Sequence, residues 1–148
     1  MHPTQSMEDS MEGNLRSAYW GLRIGLGASA FLAGLDKFTN RLTNWDKYLS
    51  DEVSERLPVK DRNFMRAVGV IEMIVGAGIL SPKTRPSSYI ASAWLLAIAG
   101  NLFSSGRWFD IAVRDVNMAI AAYALARLSE TRSSEQRSMP QQLGLKAA

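Results

Sequence analysis

Four apolar stretches alternate with polar segments along this chain. Residues 1–17, the stretch from Thr39 to Asn63 and the tail from about Ser129 are polar, and most of the rest is apolar. The pattern predicts helices over about 14–38, 61–80, 87–105 and 108–129, with no strand-like alternation to compete. Within each, the apolar residues surround the helix instead of forming one stripe. In the third, Tyr89, Ile90, Trp94, Leu95, Leu96, Ile98, Leu102 and Phe103 cover most of the circumference. A helix that is apolar all round is a core helix or a membrane span. Four such helices cannot all be central in 148 residues. The expected fold is therefore all-α, a four-helix transmembrane bundle over 14–129. A soluble bundle, with Glu72, Arg114 and Asp115 on amphipathic surfaces, is the competing reading.

The connector between the first two helices has its own period. Trp45, Leu49, Val53 and Leu57 recur every four residues, with Tyr48 beside them and Pro58 to end the run. This predicts a short interfacial amphipathic helix between helices 1 and 2, a docking surface for the membrane plane or for a partner. Small residues also recur. Gly21, Gly25, Ser29 and Ala33 form a stripe in the first helix, where close helix approach is expected. Gly69, Glu72 and Gly76 share a face of the second helix, and Ala93, Ala97, Gly100 and Ser104 supply small residues in the third. In the fourth, Asp110, Arg114, Asn117 and Ala121 share one face and Asp115, Ala119, Ala122 and Ala126 another. Residues 1–13 are expected to be disordered and 130–148 to form a flexible tail.

Charge changes the picture most inside the apolar stretches. Arg23, Glu72, Arg114 and Asp115 interrupt three of the four. An ionised side chain at mid-bilayer costs about 2.5–3.5 kcal/mol on insertion scales, so such groups face the bundle interior, pair, and mark function. Arg23 with Glu72 is the first expected pair. Asp110 and Arg114 stand at the favourable acid-first i,i+4 spacing, and Asp115 needs another partner, Arg23 or Lys37. Asn101 is placed to hydrogen-bond across helices. Asp36, Lys37 and Asn117 complete an intramembrane polar cluster. It serves either as structural glue or as a polar pocket.

Composition excludes several classes. The chain has no Cys, which removes disulfides, thiol relays and Cys-ligated metals, and its one His is His2, which argues against haem ligation and His-based metal sites. The formal charge is +3 without a basic run, so no nucleic-acid footprint exists. No Ser/His/Asp arrangement, metal-ligand spacing or phosphate-cradling Gly loop appears, so no catalytic residue is assigned. Glu8, Asp9 and Glu12 stand where a signal peptide would be positive, and Arg23 breaks the apolar run, so the first stretch is read as retained. The short loop carrying Lys83 and Arg85 orients both termini to the cytoplasm.

Together these residues resemble the DoxX-like family of small four-helix bacterial membrane proteins. Arg23 stands early in the first helix, as in that family. Gly34-Leu35-Asp36-Lys37-Phe38 is similar to its Gly-Leu-x-Lys-hydrophobic close, Gly69-Val70-Ile71-Glu72 with Gly76 to its Glu-x-x-x-Gly signature, and Ile111-Ala112-Val113-Arg114-Asp115 to an Arg-Asp element in some members. The resemblance covers about Leu15 to Leu128. It implies a multi-pass protein of the bacterial inner membrane, associated with redox or sulfur-transfer proteins. Some relatives are subunits of thiosulfate:quinone oxidoreductases. The lack of Cys argues against covalent sulfur carriage. Two functions are expected as alternatives. One is a redox-associated membrane subunit, not a complete enzyme, binding a quinone, a lipid or another small hydrophobic molecule non-covalently at the polar cluster. The other is a non-catalytic accessory subunit of a larger membrane complex. Lipids and either other subunits or further copies of the chain are the expected partners.

Overall fold

Each apolar stretch forms a helix, and most of the helices run beyond the stretch that nucleates them. The structure, a computed structural model, describes residues 3–56, 58 and 60–146. Its helices are α1 (Pro3–Thr39), α2 (Asp51–Arg56), α3 (Asp61–Leu80), α4 (Thr84–Ser104) and α5 (Phe109–Lys146), with one 3₁₀ turn at Trp45–Tyr48. No strand occurs among the described residues, as the sequence pattern predicts. Within the described residues, the expected disordered leader and flexible tail continue α1 and α5 as helix. Adding a residue to a formed helix is far easier than nucleating one. Pro3 at the start of α1 fits a first-turn position. From Met7 to Ala18 every residue is exposed.

The connector does not form the single amphipathic helix expected over Trp45–Leu57. It breaks at Leu49–Ser50 into the 3₁₀ turn and α2, and Leu57 lies outside the described residues. Local capping explains the break. Asn44 accepts from the Asp46 N–H to start the turn. The Ser50 hydroxyl and carbonyl both accept from the Val53 N–H to start α2. Capping competes with helix continuation, and here two caps in succession win. Asn40, just past the end of α1, takes a left-handed φ of 49°, a conformation Asn tolerates at helix ends. Trp108 does the same at φ 62° before α5, and its ring packs edge-on against Tyr48 at 5.0 Å.

α1 packs most extensively on α3, and α4 on α5; the two pairs meet through α3 against α4 and α1 against α5. The α1–α3 seam is built on glycines. A Cβ on Gly34 would stand 2.5 Å from the Gly69 carbonyl oxygen, and one on Gly76 would stand 2.6 Å from the Phe31 nitrogen and 2.7 Å from the Gly27 oxygen. The stripe expected to pack, Gly21 and Gly25 with Ser29 and Ala33, faces elsewhere: a Cβ on Gly21 or Gly25 would meet nothing within 4 Å. Similarly, Ala93, Ala97, Gly100 and Ser104 are exposed, and α4 buries Ser88, Ala91, Ala99 and Leu102 instead. The inward faces read for α3 and for α5 hold: Gly69, Glu72 and Gly76 are buried, as are Asp115, Ala119, Ala122 and Ala126.

The core lies toward one end. Tyr19 and Leu26 of α1, Val75 and Ile79 of α3, Ala91 of α4, and Ala122 and Leu125 of α5 form it. Arg23 sits beside this end. The seam is antiparallel, with Gly34 against Gly69 and Gly27 against Gly76. Arg23, four residues before Gly27, therefore falls opposite Leu80, four after Gly76. Its guanidinium donates to the carbonyls of Ile79 (3.0 Å), Leu80 (2.7 Å) and Ser81 (2.8 Å) and lies 4.8 Å from the Trp20 ring centre. It thus serves the open carbonyls at the C-terminus of α3, where a cation also suits the helix dipole.

The outer surface carries large apolar residues: Ile24, Leu32, Ile74, Leu96, Val113 and Ile120 are each more than half exposed. Among the described residues, one helix, α3, is long and apolar enough to cross a membrane by length and composition, and 33% of its most apolar stretch is buried.

Two predictions follow from the seam and from the far end of the bundle. Gly34→Ala and Gly69→Ala should each lower stability by about 1–3 kcal/mol, the range for overpacked contacts. Gly21→Ala should be neutral or slightly stabilising, because its site is open; thermal melts of the purified variants compare them. At the other end, Tyr89 donates to Glu130, and Arg85 and Arg127 flank it at 2.9 and 2.8 Å. These partners, the Tyr89 hydrogen bond foremost, hold the Glu130 carboxyl below its ordinary value. A depressed carboxyl stabilises the fold fully above its unfolded value and loses that contribution as pH falls through the folded one. The melting midpoint should therefore drop below about pH 4.5, and Glu130→Gln should make that drop shallower.

Candidate functional site

Between the four long helices, from the connector down to Leu26 and Ile79, lies a cavity of about 600 Å³, within the range of small-molecule sites. Leu26, Ala30 and Ala33 of α1, Val68 and Val75 of α3, Trp94 and Ile98 of α4 and Met118 of α5 wall it. Leu42, Trp45, Tyr48 and Leu49 of the connector cover it. Its polar floor carries Lys37, Glu72, Arg114 and Asp115.

Lys37 is 4% exposed, and its Nζ stands 2.5 Å from Glu72 Oε2. The same ammonium lies 3.7 Å from the centre of the Trp45 ring, a cation–π contact. Asp36 organises the turn that brings Trp45 there. Its carboxylate accepts from the Thr39 hydroxyl, the Arg41 and Leu42 N–H groups and the Trp45 indole N–H, the last at 2.8 Å. On α5, Arg114 Nε and Nη2 both donate to Asp115 Oδ1, at 3.0 and 2.9 Å. Asp115 is buried and within electrostatic reach of both Lys37 and Glu72. Two cations and two anions thus neutralise one another across three helix faces.

The sequence places Glu72, Arg114, Asp115, Asp36, Lys37 and Asn101 in a polar cluster, and the fold brings these together around the cavity and its cover. Two expected pairs are corrected. Arg23 does not pair with Glu72. The antiparallel register sets them eight residues apart along the seam, about 12 Å. Side chains also lean toward the N-terminus of their own helix. On antiparallel neighbours, Arg23 and Glu72 therefore lean apart, while Lys37 and Glu72 lean together at the level of Gly34 and Gly69. Given the register set by the glycine contacts, that rule selects Lys37 for Glu72; the sequence alone does not supply the register. Arg114 pairs with Asp115 instead of Asp110, which stays exposed, and Asn117 is exposed on the outer face of α5.

Asn101 bonds across elements, to the connector. Its Nδ2 donates to the Tyr48 carbonyl at 2.8 Å and its Oδ1 accepts from the Ser50 N–H at 3.2 Å. Of the residues read as an interfacial docking face, Trp45, Tyr48, Leu49 and Val53 are half-buried and line the cavity. They turn inward because Asp36 and Asn101 hold the connector over the bundle end. Trp94, read from the sequence only as part of the apolar surface of the third helix, lines the cavity, and its buried indole N–H has no partner. Among the described residues no group of acids or histidines is placed to hold a metal ion.

Compared with known protein families, curated proteins and solved structures, the chain matches none.

Removing one partner of a buried ion pair leaves the other charge uncompensated, which costs about 3–5 kcal/mol, whereas replacing both with apolar groups is often neutral. Glu72→Leu and Lys37→Met should each destabilise by that order. The double variant should melt close to the wild type, so that a double-mutant cycle yields a large coupling.

Proposed function

We propose that this chain is a DoxX-like membrane protein, a four-span bundle of the bacterial inner membrane with cytoplasmic termini. In this reading it acts as a redox-associated subunit that binds a quinone-like or other small hydrophobic molecule. The observation that carries the proposal is the cavity, apolar on its walls and charged at its floor, about 600 Å³ in volume. Its size and lining suit a ring with a short apolar tail. The hydroxyls of Thr43 and Tyr48 on its lining are donors of the kind a quinone carbonyl would need.

The membrane placement draws support from the outer faces. Ile24, Leu32, Ile74, Leu96, Val113 and Ile120 expose apolar surface on all four long helices. Lipid contact satisfies such a girdle, and a large exposed apolar surface is otherwise a liability in water. Charges held in opposite pairs beside the cavity are also the arrangement that a lipid-enclosed bundle tolerates.

Two measurements test this. Alkaline carbonate extraction of native membranes should leave the chain in the pellet; its release would remove the membrane reading. The purified protein should bind a short-chain benzoquinone saturably, quenching the fluorescence of Trp45 and Trp94. Ala33→Phe, which puts a ring into the cavity, should weaken that binding tenfold or more. If no quinone binds and the chain travels with other membrane proteins on a native gel, the accessory-subunit reading replaces this one.

A further inference from the structure

The charges around the cavity determine what kind of head group it can hold. We infer that the ligand is an electrically neutral amphiphile whose polar end accepts hydrogen bonds, and that the site excludes anionic lipids and fatty acids. This rests on the cavity being the binding site and names the ligand's chemical class. Each floor charge already has a counter-charge: Lys37 has Glu72, and Arg114 has Asp115. Lys37 also has the Trp45 ring on one side, and both oxygens of Asp36 are engaged by the turn and by Trp45. The side-chain amide of Asn101 is engaged by Tyr48 and Ser50.

An ionised head group entering this floor would find no free counter-ion. It would either remain uncompensated in an apolar space or break an existing pair, and both are unfavourable. Uncharged groups with hydrogen-bonding capacity also line the cavity. The hydroxyls of Thr43 and Tyr48 are 3.5 Å apart, at the outer limit of a hydrogen bond, so each can turn to a better partner. Both line the cavity and both can donate. Carbonyl and hydroxyl oxygens fit them, and a carboxylate or sulfonate does not find the cation it needs.

The test compares two probes with the same tail, decanol and decanesulfonate, by tryptophan fluorescence and calorimetry on the full-length protein in neutral detergent. The wild type should bind decanol at least about tenfold more tightly than decanesulfonate. Glu72→Gln leaves Lys37 without its carboxylate, and decanesulfonate affinity should then rise by about tenfold or more while decanol changes little. Asp115→Asn releases the half-exposed Arg114 and should shift the preference the same way; it serves if Glu72→Gln does not fold. Equal or tighter binding of decanesulfonate by the wild type overturns the inference, and so does an unchanged preference in the folded variants. If the wild type binds neither probe nor a benzoquinone, the cavity reading itself fails, a result distinct from binding with the wrong charge preference.

Discussion

Two backbones in direct contact set the geometry of this molecule. Gly27 and Gly34 of α1 meet Gly76 and Gly69 of α3 so closely that a methyl group at three of these positions would press on main-chain atoms. The contact fixes the antiparallel register of the two helices, and the register decides which charges can meet. Lys37 and Glu72 lean into the same level and pair; Arg23 is carried beyond the end of α3, where it closes three carbonyls. A slip by one turn would move the Lys37 and Glu72 side chains about 5 Å past each other, beyond their present 2.5 Å contact. The ion pair is thus a consequence of the glycine seam more than a cause of it.

The bundle divides its two ends between packing and space. At one end Tyr19, Ala122 and Leu125 fill the interior, Arg23 closes the C-terminus of α3, and the Tyr89–Glu130 hydrogen bond joins α4 to α5. At the other, the helix pairs enclose a cavity instead of filling it. Small residues on its walls, Ala30, Ala33 and Ala91 among them, leave the space, and the connector closes it from above. The connector stays there through side chains from two different helices, Asp36 of α1 and Asn101 of α4. Polar residues that would be costly in an apolar interior thereby have a structural use: each of these side chains is satisfied by the segment it holds.

Electrostatics and shape converge on one reading of the site. Four charges of alternating sign offset each other, so the floor is polar but without net charge. The walls are apolar, and the uncharged donors at Thr43 and Tyr48 remain available. A neutral ligand with an acceptor oxygen at one end and an apolar body matches that combination. The proposed quinone-like molecule belongs to this class.

The sequence by itself determined the all-helical architecture, the bounds of α3 and α4 to within a few residues, and most of the polar cluster, because hydrophobic periodicity and isolated charges are local signals; it missed the helical extensions at the start of α1 and the end of α5. Glu72 between Gly69 and Gly76, Asp115 on the alanine face of α5, and Asn101 as a cross-element donor were all legible in that way. Only the tertiary structure decided which small residues touch, which cation reaches Glu72, and that the connector breaks and turns its aromatic residues inward. Gly21 and Gly25 look as suited to close packing as Gly27 and Gly34, and only the facing helix distinguishes them. Those choices depend on the register and tilt of residues far apart in the chain, and such relations exist only once the helices have packed.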